Sequence, residues 1–380
     1  MHAGLLLAGL GTALLGPILP LLASRWHLLD SQSGLLMAAK FCGAFVGGVS
    51  VTKHLERSLI VGFGAAAIGF GGFALAPDWM LGAAGLAVGG FGIGRIITAT
   101  NILAGRAFTA HRGSALALLN FSFSAGAMLS ALGAAWLLPR FALGSVLEVF
   151  AAAFAAVGLW TLLEAHGTFS GLPTAASNDQ PDQAGAVFGG SLFAYYAGLL
   201  FFYGGLETCL SGWLTTFALR YGDRSFALSE YTTLLLWLSL TVGRAASSAL
   251  MLRIPERTLQ RIGLAASATC VAALGVAHGG APIAIIAILL GLSLSPFFPA
   301  TFALLMADRP AARQAGLVVA VSGLGAAALP WLMGVVSTRT GSLQLALVLP
   351  LGAAIALLGM SFLAISAGLR RSPMEAQPEA

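Results

Sequence analysis

The sequence predicts an all-α polytopic membrane protein, with twelve transmembrane helices arranged as two six-helix bundles. Three observations carry that expectation. Charged residues make up 9% of the 380-residue chain while hydrophobic residues make up 58%, too much apolar surface for a soluble protein to hide. The apolar residues fall in blocks of about twenty, the length of helix that crosses a ~30 Å hydrocarbon core. The blocks also form two sets of six on either side of a polar stretch.

Charges, prolines and turn residues mark the ends of the blocks. The first set covers 3–24, 32–52, 58–76, 80–106, 114–138 and 143–163. The second covers 191–219, 229–250, 259–277, 282–306, 315–337 and 343–367. The expected bundles are thus 1–164 and 191–367, with a linker at 165–190 and a tail at 368–380. In the linker Ser, Pro, Asn, Asp and Gln replace the aliphatics, the composition of a solvated connection. The N-terminus, Met1-His2-Ala3-Gly4, has no basic n-region and reads as a retained first span. Pro17 and Pro20 in span one, Pro296 and Pro299 in span ten, and Pro330 in span eleven should bend or break their helices. The many glycines, 49 in all, suit close helix approach in lipid.

The halves echo each other. Glu56-Arg57-Ser58-Leu59 between spans two and three returns as Glu256-Arg257-Thr258-Leu259 between spans eight and nine. Ala99-Thr100 in span four returns as Ala300-Thr301 in span ten. Parallel six-helix repeats are a layout of secondary transporters. Orientation follows from Lys and Arg. One set of loops carries Lys53, Arg57, Arg106, Arg112, Arg253, Arg257, Arg261, Arg309 and Arg313, and the tail adds Arg370 and Arg371. The opposite loops hold Arg25, Arg140, Arg220, Arg224 and Arg339. Positive-inside therefore places both termini and the linker in the cytoplasm of a cell whose inner membrane the chain spans.

Several function classes are excluded. The net charge of +5 sits at helix ends rather than in one patch, so nucleic acid is not a partner. Cys42, Cys209 and Cys270 all lie in apolar blocks and form neither a disulfide framework nor a metal site. The six histidines are scattered, and no catalytic constellation, phosphate-binding loop or cofactor motif is visible, so no enzyme activity and no cofactor is expected. Gly89-Gly90-Phe91-Gly92-Ile93-Gly94 follows no strand and is not a dinucleotide loop. Without an ATP motif, transport would be gradient-driven or equilibrating.

Function should then lie in the few charges inside the spans: Lys40, Arg95, Glu207 and Arg244. Each costs about 2.5–3.5 kcal/mol at a helix centre and should face protein or water. Glu207 is the one acid deep in the membrane, and an ion pair with Arg95 or Lys40 across the halves would lower that cost and could serve as a gate. Arg244 lies nearer a helix end and reads as bracing the adjoining loop, and Lys40 lies in a more peripheral span. Asn101, Tyr203, Trp213, Trp237, Phe297 and Phe298 supply the amide and aromatic surfaces that a sugar needs.

The second half then becomes specific. Span seven reads FFYGGLETCLSGWLTTF, span eight LTVGR, span ten GLSLSPFFP, and span eleven GLGAAALPWLMG followed by TRTGS. With Asn101 in ITATNIL, these segments resemble the fucose and glucose/galactose permease group of the major facilitator superfamily. The resemblance implies a midplane site between two bundles and a monosaccharide as cargo. The chain departs from the fucose-transporting members at two places where they carry an acid: none precedes Pro17-Ile18, and Ile97 stands one turn before Asn101.

The sequence thus points to a monomeric transporter of a hexose-like sugar by alternating access. Its expected site is Asn101, Glu207, Tyr203, Trp237, Phe298 and Phe297, with Arg95 and Lys40 as polar or gating partners. If transport is proton-coupled, Glu207 is the carrier. Other readings are an uncoupled sugar uniporter, a transporter that uses Lys40 and Arg95 for an organic anion or sugar acid, and a non-transporting receptor.

Overall fold

A computed structural model describes residues 1–52, 54–107, 112–167, 190–222, 231–251, 253–307 and 312–368. The expected linker and tail lie almost wholly outside these residues. So do Lys53, Arg224, Arg309, Arg370 and Arg371, on which part of the orientation argument rests.

The described residues form fifteen helical segments and no strand. The first half contains α1 (His2–Ala13), α2 (Leu15–Trp26), α3 (Asp30–Val49), α4 (Leu55–Ala74), α5 (Trp79–Ala107), α6 (Arg112–Leu137) and α7 (Leu143–Gly167). The second contains α8 (Gly190–Tyr221), α9 (Thr232–Leu250), α10 (Glu256–Leu274), α11 (Gly280–Leu294), α12 (Phe297–Ala307), α13 (Ala312–Thr340), α14 (Leu343–Ala346) and α15 (Val348–Gly368).

Each of the twelve expected spans has its helical counterpart, three of them broken. Seven spans are long and apolar enough to cross a membrane unaided, and the bent pair α1 and α2 makes an eighth. The remaining four, α6, α8, α9 and α10, are 19 to 32 residues long. The last three dilute their apolar content with hydroxyls and amides that point inward: Thr215, Thr216, Thr233, Ser239, Gln260 and Ser267 are all buried. Apolar side chains fill the core and also cover the outside, where Ile68 is 73% and Val276 76% exposed. An apolar outer surface of that kind is what a lipid solvent selects.

The prolines act unequally. α1 and α2 meet at a 40° bend at Leu14, because Pro17 has no N–H for the Ala13 carbonyl. Pro296 separates α11 from α12 in the same way. Pro20 and Pro330 do not break their helices, α2 and α13, which run on to Trp26 and Thr340. The Pro330 carbonyl instead accepts a hydrogen bond from Trp213 Nε1 at 3.1 Å.

Within the first half α3 and α5 interlock through glycines. A Cβ on Gly43 or Gly47 of α3 would lie 2.0 Å from the Ala87 or Phe91 carbonyl oxygen, and one on Gly90 or Gly94 of α5 would lie 1.9 Å from that of Lys40 or Ala44. Backbones this close replace the hydrophobic effect that lipid does not supply. The halves meet along three seams, α2 with α8, α3 with α13, and α6 with α9.

Candidate functional site

The seams enclose a central cavity of about 190 Å³ walled by both halves. Its lining runs from Thr12, Lys40 and Ser211 to Gly48, Asn101, Asn120, Val319 and Ala320. It thus extends toward the end of the bundle that carries the α3–α4 turn. Lys40 lies ten residues along α3 from Asp30, about 15 Å, or half a bilayer thickness.

Of the expected site residues, Lys40, Asn101, Glu207, Trp237 and Phe298 share this wall. Lys40 is 3% exposed, and its Nζ donates to the Thr12 carbonyl at 2.5 Å, beside the bend between α1 and α2. The Phe41 ring lies 4.6 Å from the ammonium. The more peripheral place expected for the Lys40 span is therefore wrong, because the interlock with α5 turns one side of α3 to the cavity. Trp237 is buried, and its Nε1 finds no hydrogen-bond partner among the described residues.

Tyr203 and Phe297 stand behind this wall. Their rings stack with centroids 4.5 Å apart and planes 9° from parallel, and Tyr203 also meets Phe298 at 6.4 Å. They form a buried support for Phe298, whose ring borders the cavity. Trp213 is likewise a packing residue, sealed at 1% exposure.

The structure corrects the expected charge pairing. Glu207 meets neither Lys40 nor Arg95; Arg244 Nη2 donates to Glu207 Oε1 at 3.3 Å. Arg244 also reaches across the seam to the Ser124 hydroxyl of α6, and it lies over the Phe298 ring at 5.9 Å. It belongs to the cavity wall rather than to a loop brace. The pairing was countable: Glu207 stands fourteen residues before the end of α8 at Tyr221, and Arg244 thirteen after Tyr231, which caps α9. Consecutive antiparallel helices therefore bring the two to one height.

Arg95 lies outside the cavity. It donates to the Ser50 hydroxyl at 2.9 Å and the Ser50 carbonyl at 3.2 Å, and to the Ser58 hydroxyl at 3.1 Å. It thereby clamps the end of α3 to the start of α4 and neutralises carbonyls that the α3 terminus leaves unsatisfied. Arg95 stands near the middle of the expected span 80–106, and the α5 helix built from it has 29 residues. α3 and α4 have only 20 each, so their turn falls level with Arg95.

A second polar cluster, which the sequence reading missed, closes the opposite end. Arg220 of α8 grips Asp30 of α3 with both terminal nitrogens, at 2.6 and 2.5 Å. Ser337 of α13 donates to the same carboxylate at 2.5 Å, and Ser31 N–H donates to Thr338 Oγ1 at 2.8 Å. Beneath it the halves touch backbone to backbone. A Cβ on Gly16 would stand 2.1 Å from the Ser211 carbonyl oxygen, and one on Gly334 2.3 Å from that of Asp30. The cavity is thus sealed from the Asp30 end by polar bonds and by a plug of glycine contacts.

Comparison with known proteins agrees with this architecture. The sequence model of the Major Facilitator Superfamily matches residues 1–315. No curated protein sequence matches the chain. Among solved structures, the transporter FucP in its outward conformation superposes with a TM-score of 0.65 at 18% identity, over 95% of this chain and 97% of that one. The xylose transporter XylE from E. coli gives 0.75 at 14% identity, over 95% and 96%. The nucleoside transporter NupG gives 0.69 at 15% identity, over 95% and 98%. At these identities the likeness is one of fold, and the family rests on the sequence model, which spans most of the chain. The protein belongs to the Major Facilitator Superfamily of membrane transporters.

Proposed function

We propose that the protein carries a monosaccharide-sized polar solute across the inner membrane by alternating access, with 1–164 and 191–367 as the two moving bodies. The observation that carries this reading is the central cavity, walled by amide, aromatic and charged groups from both halves and closed at one end. Positive-inside puts the closed end outside the cell and both termini in the cytoplasm, so the cavity opens toward the cytoplasm. Two of the three superposed proteins are sugar transporters, XylE for xylose and FucP as a fucose:proton symporter. NupG, a nucleoside transporter, keeps the cargo class open to experiment.

Glu207 is the group we assign to coupling. In the cavity it is tied to Arg244, so loading a proton on it would release Arg244, which also bonds Ser124 across the α6–α9 seam. Counterflow of labelled glucose into proteoliposomes of the purified monomer, competed by a panel of sugars, tests the transport reading without assuming a coupling ion. Saturable, competable counterflow is expected; its absence for every polar solute in the panel would reject the reading.

A further inference from the structure

Charge complementarity in the cavity narrows the cargo further, and the narrowing rests on the transport reading above. Among the described residues the cavity wall carries three charged side chains, Lys40, Glu207 and Arg244. Glu207 and Arg244 answer each other. When protonated, Lys40 is one positive charge in excess, buried at mid-membrane with the Thr12 carbonyl as its hydrogen-bond acceptor among the described residues. An ammonium has three N–H donors, so two remain to be satisfied. An uncompensated charge at that depth is costly, and such charges in transporters lie on the substrate path.

Elsewhere on the wall, Trp237 has the same bias. Trp237 Nε1 is a donor with no acceptor among the described residues. A wall that offers hydroxyls and amides and carries one net positive charge is complementary to a polar solute with one acceptor-only group of single negative charge, which is a carboxylate. A neutral sugar would offer hydroxyls to the same donors and leave the Lys40 charge unanswered. A phosphate monoester, at ≈ −1.5 to −2, would overshoot it. The 190 Å³ cavity and the Phe298 ring leave the rest of the site suited to the body of a monosaccharide.

We infer that the cargo is a sugar monocarboxylate, a hexuronate or hexonate, whose carboxylate is received by Lys40. Cargo charge is then a selection rule: a hexuronate exceeds its parent hexose at the same size and shape.

Glucuronate and glucose form the matched pair for the test. Proteoliposomes are loaded with unlabelled glucuronate, counterflow of labelled glucuronate is followed, and each compound is titrated as competitor. The inference expects glucuronate to compete at a concentration at least tenfold below that of glucose. It expects Lys40→Met to erase at least tenfold of that preference, with Lys40→Gln acting in the same direction. Calorimetric titration of the detergent-purified proteins gives the same ratio should a variant reconstitute poorly. Equal competition by the two, glucose preferred, or an unchanged preference in both variants would overturn the inference while leaving the transport reading intact. No flux and no binding of either compound would overturn the inference, and the transport reading would fall with it only if every other polar solute of the panel also failed.

Discussion

Glu207 and Arg95 look alike in the sequence, each a lone charge in an apolar helix, and the structure gives them different work. Glu207 sits on the cavity wall with Arg244, and substituting it should separate coupling from movement. Glu207→Gln is expected to abolish uptake driven by a proton gradient while sparing exchange, measured side by side in proteoliposomes; equal loss of both would remove it from the coupling step. Its partner carries a stability prediction. Breaking a buried ion pair leaves an unanswered charge, at a cost of about 3–5 kcal/mol. Arg244→Gln should therefore lower the melting temperature in detergent more than the double variant Glu207→Gln/Arg244→Gln does, which a double-mutant cycle reads directly. Arg95 holds a turn. Arg95→Gln should lower the melting temperature but leave the order of competing solutes in counterflow unchanged.

At the scale of elements, the glycine contacts decide which surfaces can meet. Gly334 lets α13 approach α3 so closely that its Cα hydrogens occupy the only space beside the Asp30 carbonyl; a Cβ there would stand 2.3 Å from the oxygen. Gly334→Leu should prevent the Asp30 end from closing. Spin labels at His27 and Arg339, exposed residues of the two halves at that end, should then report a longer distance than in the parent protein. The same pair of labels tests the polar cluster above it. Asp30→Asn removes charge-assisted hydrogen bonds each worth about 1.5–3 kcal/mol. It should shift the distance distribution the same way without affecting the fold of either half. The broken spans belong to this scale too. Pro17 and Pro296 interrupt their helices, and the first break sets the Thr12 carbonyl beside Lys40.

For the whole molecule, the halves are joined at the Asp30 end by bonds from one carboxylate to two helices of the other half, and they part around the cavity toward the other end. Movement between states must exchange these contacts, since a ligand shifts such an equilibrium only by its different affinity for the two states. Arg244 links that exchange to the cavity, because it touches Glu207 in its own half and Ser124 in the other.

The sequence by itself determined the solvent, the number of spans, their order and their division into two bundles, and of the five prolines it marked, Pro17 and Pro296 stand at breaks. Block length against bilayer thickness and the exclusion of charge from lipid are one-dimensional constraints, so they can be read along a chain. Even the Glu207–Arg244 pair was within reach of that reading, by counting residues back from a shared turn. The tertiary structure alone decided that Lys40 faces the cavity, that Arg95 does not, and that Asp30, Arg220 and Ser337 converge from three helices. A helix that is apolar on every side has no amphipathic face to record its rotation, because lipid and neighbouring helices ask for the same residues. Its rotation and neighbours are set by where small residues let backbones touch, and that is a property of pairs of helices.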